Sequence, residues 1–414
     1  MEKLTYNVIN EDLFSTLSPP KKSYWAFLTF FFGLFSLGMA CWGYMIVEGL
    51  GVAGISSPIG WGVFIVTFVF WVGIAHSGTL ISAILYLLRA TWRTSIYRSA
   101  EAMTVFAVMT AGLFPLIHLG RVWVFFWIMP YPNQRLLWPN FKSPLVMDVL
   151  AITTYLTVSS LFFIIGMLPD IASIRDKSTG WRKKLYTVLS LGFSYDQLTW
   201  KHYPKAYLFF AAFATPLVIS VHSVVSWDFA LSVVPGWHST IFAPYFVAGA
   251  ILSGLSMVIT ILIPLRKILG LEKYITIDNF DNMSKLIIVT SLIVGYAYGL
   301  EYFLAWYSGN KIEFATFAWR ATGDYAVQFW IMVICNAIVP LFLFVRKLRR
   351  NIWSLLIITI LINIGMWYER FVIIITSLGH EYLPFNFGSY SPTWVEAGIM
   401  IGSLGLFFFL FTFF

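Results

Sequence analysis

The sequence predicts an all-α integral membrane protein with about ten transmembrane helices. Three observations carry that expectation. Of 414 residues, 59% are hydrophobic and only 11% charged, where a soluble domain averages about a quarter charged residues. The apolar residues fall into runs near the roughly 20 residues that cross a bilayer. The basic residues gather between alternate runs, as the positive-inside rule requires. The net charge of +8 therefore reflects topology, and no nucleic-acid partner is expected.

Taken in order, the expected spans are 24–48, 60–88, 101–129, 144–168, 205–230, 243–265, 284–308, 325–345, 352–376 and 393–414. The residues before Lys22 are polar and mixed in charge. They lack an apolar core followed by a small-residue cleavage site, so no signal peptide is expected. Segment 178–203 is polar but carries Trp181, Tyr186, Tyr195 and Trp200, the pattern of a surface or interfacial helix. The chain closes on the apolar run Leu404–Phe414 with no charge after it, which leaves open a longer natural chain.

With the N-terminus in the cytoplasm and an even number of spans, all but six of the 27 basic residues lie inside. The six are Arg121, Arg135, Lys142, Lys311, Arg320 and Arg370. Arg320 and Asp324 are expected just outside or at the outer boundary. The acidic and imidazole groups distribute differently. His118, Asp148, His222, Asp228, Glu301, Glu369 and His380 map to the outer half, and His76 lies near mid-depth. Chemistry or docking near the outer face is expected.

The two cysteines, Cys41 and Cys335, each sit inside an apolar run. An iron–sulfur cluster needs about four, and no C-x-x-C-H is present for covalent haem. Both are expected to pack as thiols, unbridged, and no metal site is expected. No Walker-type loop, dinucleotide fingerprint, H-E-x-x-H or G-x-S-x-G occurs, so the soluble chemistries those motifs mark are not indicated.

Ionisable residues inside a membrane are costly and read first as functional. His118 and Asp148 stand out, separated by a connection crowded with Pro, Trp and Asn: Pro130-Tyr-Pro-Asn-Gln-Arg135 and Trp138-Pro-Asn-Phe-Lys142. Pro115 should kink the helix that carries His118. Ser143-Pro144 reads as N-cap and first helical residue, about one turn before Asp148. A quinol gives up two protons with its two electrons, and a histidine with a buried carboxylate can accept them. Arg121 could hold the carboxylate ionised, and Tyr155 lies two turns below Asp148 on a similar face. The other reading is a structural pair, or two groups that never meet. If the third span runs straight to 129, His118 lies about 17 Å below its end, against about 6 Å for Asp148.

His76, in Gly73-Ile-Ala-His-Ser-Gly-Thr79, reads either as a histidine bonded to nearby backbone or as a proton relay with Thr79 and Ser82. The small residues around it suggest close helix packing. His222 and Asp228 close the fifth span, and Glu301 and Glu369 could extend a polar path. A b-type cytochrome anchor using His76, His118 and His222 needs facing pairs at one depth, which their expected depths do not give.

At these residues the chain resembles the NrfD/PsrC (polysulfide reductase-like) family of quinone-interacting membrane subunits. The similarity is closest to the quinol-oxidising NrfD-like subunit of bacterial alternative complex III. It is carried by His76-Ser-Gly-Thr79 with Arg89-Ala-Thr-Trp-Arg93, then Ile117-His-Leu-Gly-Arg121, Pro130-Tyr-Pro-Asn133, Leu137-Trp-Pro-Asn-Phe141, Asp148 and Leu168-Pro-Asp170. Further on it includes His222-Ser-Val-Val-Ser-Trp-Asp228 and Pro235-Gly-Trp-His238.

The resemblance implies two four-helix bundles flanked by one helix at each end. The corresponding regions are a cytoplasmic segment 1–23, a first flanking helix and outer loop 24–59, a first bundle with the quinol site 60–230, a second bundle 231–376, and an outer loop with the last flanking helix 377–414. It implies menaquinol or a similar quinol as substrate near the outer face, with His118 and Asp148 as proton acceptors and Arg121 and Tyr155 lining the site. His76, Thr79, His222, Asp228, Glu301 and Glu369 would form a proton route if oxidation is coupled to translocation. Electrons would pass to a docked iron–sulfur subunit and on to multihaem cytochrome c subunits, beside a second NrfD-like subunit and, in some assemblies, a terminal oxidase. The setting would be the bacterial inner membrane. A sister scaffold subunit that binds no quinol shares much of this pattern.

Overall fold

The computed structural model describes residues 6–15, 21–129 and 143–414. Ten helices are long and apolar enough to cross a membrane. Span 1 is Lys22–Glu48, span 2 Val63–Leu87, span 3 Tyr97–His118, span 4 Pro144–Lys177 and span 5 Gln197–Ala230. Span 6 is Phe242–Ile268, span 7 Ile277–Tyr307, span 8 Ala326–Phe344, span 9 Ile352–Gly379 and span 10 Trp394–Phe413. The chain is a multi-pass integral membrane protein.

Local chemistry sets the starts. Thr276 and Asn279 form a capping box at span 7, and Thr393 and Glu396 form another at span 10. Asn351 accepts from two backbone amides at the start of span 9. Pro144 occupies the first turn of span 4, where its missing N–H costs nothing. In span 3 the helix breaks at Gly112 and restarts at Leu113. Pro115 supplies no N–H for the carbonyl four residues back and crowds it, which produces the expected kink.

Span 3 ends at His118, well short of the expected 129. Gly120 adopts φ +68°, the left-handed state that closes helices and that glycine adopts without strain. The apolar run continues, but as a 3₁₀ segment over Val122–Ile128. His118 therefore sits at the end of its span. The Pro- and Trp-rich connection read from the sequence, with Arg135 and Lys142, lies outside the described residues.

Spans 2 to 5 pack in a ring, as do spans 6 to 9. The rings meet mainly through spans 2 and 6. Glycine makes that contact close: a Cβ on Gly254 would lie 2.5 Å from the Ser77 Cβ. Ser77 in turn donates to the Ile251 carbonyl at 2.8 Å. A Cβ on Gly78 would strike the Ala100 carbonyl of span 3 at 2.1 Å. The small residues around His76 thus let three helices converge.

The two flanking helices come from opposite ends of the chain but pack against each other. A Cβ on Gly402 would meet the Gly38 Cα at 2.4 Å, and one on Gly398 would meet the Cys41 Sγ at 2.4 Å. Cys41 and Cys335 are buried free thiols.

Three π-helical segments interrupt the bundles, at Leu80–Ile84, Ile334–Ile338 and Val372–Thr376. Such segments free backbone groups that a membrane interior must satisfy. The Ser82 carbonyl accepts from Arg93 at 3.2 Å. The Asn336 carbonyl, which loses its partner to Pro340, accepts from the Ser291 hydroxyl at 2.6 Å.

Candidate functional site

Three polar levels cross the first bundle. The outermost joins span 4 to span 5. Asp148 lies in the second turn of span 4 and Asp228 in the last turn of span 5. The two carboxyl groups lie close enough to interact. Two neighbouring buried carboxyls are suited to share a proton, because both cannot readily carry charge in a site of this kind. Asp148 is 5% exposed, and one oxygen of each carboxyl has no protein partner.

His118 ends span 3 at the same end of the bundle, with its Nδ1 buried and unpartnered. Among the described residues it makes no direct bond to Asp148. Arg121 is exposed just beyond it, and no described contact joins it to Asp148.

The middle level gathers Tyr155, Thr79, His76 and His222. The Tyr155 hydroxyl bonds to Thr79 Oγ1 at 2.8 Å and donates to the Ala75 carbonyl at 3.0 Å. Its ring stacks on His76 at 5.2 Å between centroids. His76 Nδ1 donates to the Val72 carbonyl at 2.5 Å. In the neutral ring that bond leaves Nε2 as the acceptor nitrogen. Nε2 has no partner, and neither nitrogen of the wholly buried His222 has one. The two imidazoles meet edge to face, centroids 4.5 Å apart. That contact places the two rings directly against each other.

The third level was not anticipated from the sequence. Glu101 is buried at the other end of span 3. It receives Arg98 at 3.1 Å and the Tyr207 hydroxyl at 2.7 Å. Arg98 also pairs with Asp170 at 2.9 Å. Gly166 makes room, since a Cβ there would lie 2.2 Å from Arg98 Nη1. A carboxylate inside an apolar run, with arginine three residues earlier, was the available signal. From Asp148 to Asp170 along span 4 is about 33 Å, close to the roughly 30 Å hydrocarbon thickness.

Glu301 and Glu369 lie in the second bundle, apart from this column. Glu369, fully buried, pairs with Arg370 at 2.9 Å. It also accepts from the Tyr298 hydroxyl and, at 3.5 Å, from Asn336. The Arg370 guanidinium lies 4.4 Å from the centre of the Phe246 ring, and Phe246 touches His222 at 5.9 Å. Arg320, expected just outside or at the outer boundary, is buried within the protein near the end of span 9. Its guanidinium donates to Thr376 Oγ1 at 3.0 Å, to the Gly236 carbonyl at 3.3 Å and to the Ser377 hydroxyl at 2.5 Å. The short helix Lys311–Thr322 folds back and carries Arg320 inward, whereas Asp324 stays exposed. Glu301 is buried with one oxygen unpartnered. Beyond span 9, burial pushes the His380 imidazole below its ordinary value, and its ring stacks on Phe387 at 4.0 Å.

Ten apolar helices, eight of them in two rings of four and two flanking, define a multi-pass membrane protein with buried acids and imidazoles inside its span. The chain belongs to the NrfD family: the family model "Polysulphide reductase, NrfD" matches residues 51–379. It is similar to a putative membrane subunit of dimethyl sulfoxide reductase from Halobacterium salinarum, 23% identical over 406 residues, covering 90% of this chain and 86% of the relative. It is also similar to a selenate reductase subunit from Mesobacillus selenatarsenatis, 23% identical over 418 residues, covering 95% and 92%.

Proposed function

We propose that this chain is the quinol-oxidising membrane subunit of a multi-subunit redox complex. The observation that carries the reading is the Asp148–Asp228 carboxyl pair, with the open Nδ1 of His118 at the same end of the first bundle. Oxidation of a quinol breaks two O–H bonds and releases two electrons and two protons. The carboxyl pair takes one proton and the neutral His118 takes the other. The electrons leave to an iron–sulfur partner at the same face. Menaquinol is the proposed substrate, the bacterial inner membrane the setting, and the cytoplasm the side of the N-terminus.

The middle level extends the reading to proton movement. Asp228 lies six residues above His222, about 9 Å along span 5. His222 touches His76, which stacks on Tyr155, itself bonded to Thr79. The unpartnered nitrogens there need a mobile donor such as water. This is the proposed start of a translocation path.

For the parent assembly, the resemblance favours alternative complex III, with multihaem cytochrome c subunits and a second NrfD-like subunit. The names of the two relatives favour a second reading, the membrane subunit of a terminal reductase. Both require quinol oxidation here. Purifying the complex and recording its optical spectrum separates them: c-type haem bands support the first reading, and a haem-free reductase partner supports the second. The function itself is tested by quinol-driven reduction of the partner subunits. Asp148→Asn and Asp228→Asn should each abolish it in an assembled complex, and wild-type rates in both would end the proposal.

A further inference from the structure

Between spans 4 and 5 the chain forms a short helix, Gly180–Leu189, which no role above uses. It is strongly two-faced. At about 100° per residue, Trp181, Leu185, Val188 and Leu189 share one arc about 100° wide. Arg182 and Lys184 border that arc on either side, and Lys183 points opposite. Among the described residues the apolar arc is largely uncovered: Trp181 is 70%, Val188 71%, Leu189 45% and Leu185 44% exposed. Tyr186, about a third of a turn away, is the half-buried residue that faces the protein.

The level of this helix is fixed by bonds to span 4. The Tyr195 hydroxyl donates to the Pro169 carbonyl at 2.5 Å. Arg175 donates to the Phe193 carbonyl at 2.8 Å and to Ser190 Oγ at 3.2 Å. These contacts tie the following turn to residues 169–175. The apolar run Leu161–Leu168 ends there and the charges begin, so that level is the edge of the hydrocarbon. Phe193, Trp200 and Tyr203 gather at it, as aromatic residues do at a membrane interface. The turn exposes one more apolar group, because Leu191 takes φ +47° and turns its side chain outward. Asp196, hydrogen-bonded by Ser194 and Thr199 and held down to about 2, caps the start of span 5.

The charge is one-sided. Residues 175–205 hold seven basic and two acidic side chains. An apolar arc at the hydrocarbon edge, bordered on both flanks by long basic side chains, fits a surface of anionic headgroups over acyl chains. We propose that the 180–189 helix lies in the membrane plane and docks anionic phospholipid, with Arg182 and Lys184 holding the phosphates. The occupant is lipid and not a partner protein, because the arc is level with the bilayer that surrounds the spans.

The test uses the full chain, within its complex, in lipid nanodiscs. Val188→Cys and Lys183→Cys are each exposed to a membrane-impermeant maleimide, with the buried native thiols as background. Lys183→Cys should label at least tenfold faster. Equal labelling would place the arc in water, open to a protein partner, and overturn the proposal. Retention of spin-labelled phosphatidylglycerol over phosphatidylcholine is then compared among wild type, Arg182→Gln/Lys184→Gln and Lys183→Gln. The double variant should lose most of a several-fold preference while Lys183→Gln keeps it. An unchanged preference in the double variant, or an equal loss in Lys183→Gln, would overturn the role of the flanking pair.

Discussion

The two bundles solve the same problem in opposite ways. Each carries charge where charge is expensive. In the second bundle, Glu369 has Arg370, Tyr298 and Asn336 as partners, and Arg320 is held by three oxygens. In the first, oxygens of Asp148 and Asp228 and nitrogens of His118, His76 and His222 lack protein partners. A buried polar group left open costs about 1–3 kcal/mol. Such a cost persists where a ligand or water completes the bonds at work. On the proposed function, the difference assigns exchange of protons to the first bundle and a fixed electrostatic wall to the second. The second bundle has open atoms too, among them an oxygen each of Glu301, Asn336 and Asn363, but its central Glu369 and Arg370 pair with each other at 2.9 Å.

The comparison breaks most sharply at the carboxyl pair. Asp148→Asn, Asp228→Asn or His118→Gln should lower quinol-driven turnover about 100-fold or more, the scale of lost general acid–base help. Thermal midpoints should stay near wild type, because these groups make few bonds. Stopped-flow reduction of the partner subunits reads the first effect and calorimetry the second.

At the second bundle the pattern should invert. Arg370→Met leaves the Glu369 carboxylate buried without its cation and should cost about 3–5 kcal/mol of stability. The double variant Glu369→Gln/Arg370→Met should recover much of that loss. A double variant as unstable as Arg370→Met alone would mean that the pair is not the source. A smaller loss, about 1–3 kcal/mol, is expected for Gly402→Ala, which forces spans 1 and 10 apart. Detergent-unfolding curves rank all of these.

The smallest effect sharpens the middle level. Tyr155→Phe removes the bonds to Thr79 and the Ala75 carbonyl, at about 1 kcal/mol. If the relay operates through this level, turnover should fall several-fold with a solvent isotope effect larger than in wild type. An unchanged isotope effect would confine Tyr155 to packing.

Much of this was legible in the sequence because a bilayer imposes length and apolarity directly. Nine spans fall near their expected positions. The third was misjudged because Val122–Ile128 is as apolar as a helix, and the run alone does not reveal that Gly120 turns the chain left-handed. That error also misplaced His118, which is not deep below the span end but at it. The carboxyl pair was half legible. Asp148 and Asp228 each violate the apolar pattern, but their meeting depends on two antiparallel spans registering at one depth. The burial of Arg320 within the protein was not legible, because a polar helix between spans does not reveal what it packs against. Glu101 was missed although the same rule that selected Asp148 applied to it.

The most direct test of the central claim is binding of a quinol analogue to the purified complex, followed by fluorescence quenching, for wild type, Asp148→Asn, Asp228→Asn and Glu301→Gln. The account predicts that both aspartate variants weaken binding by at least about tenfold, or about 1.4 kcal/mol, while Glu301→Gln binds as wild type. Unchanged binding in both aspartate variants, with loss in Glu301→Gln, would move the site to the second bundle and contradict the account.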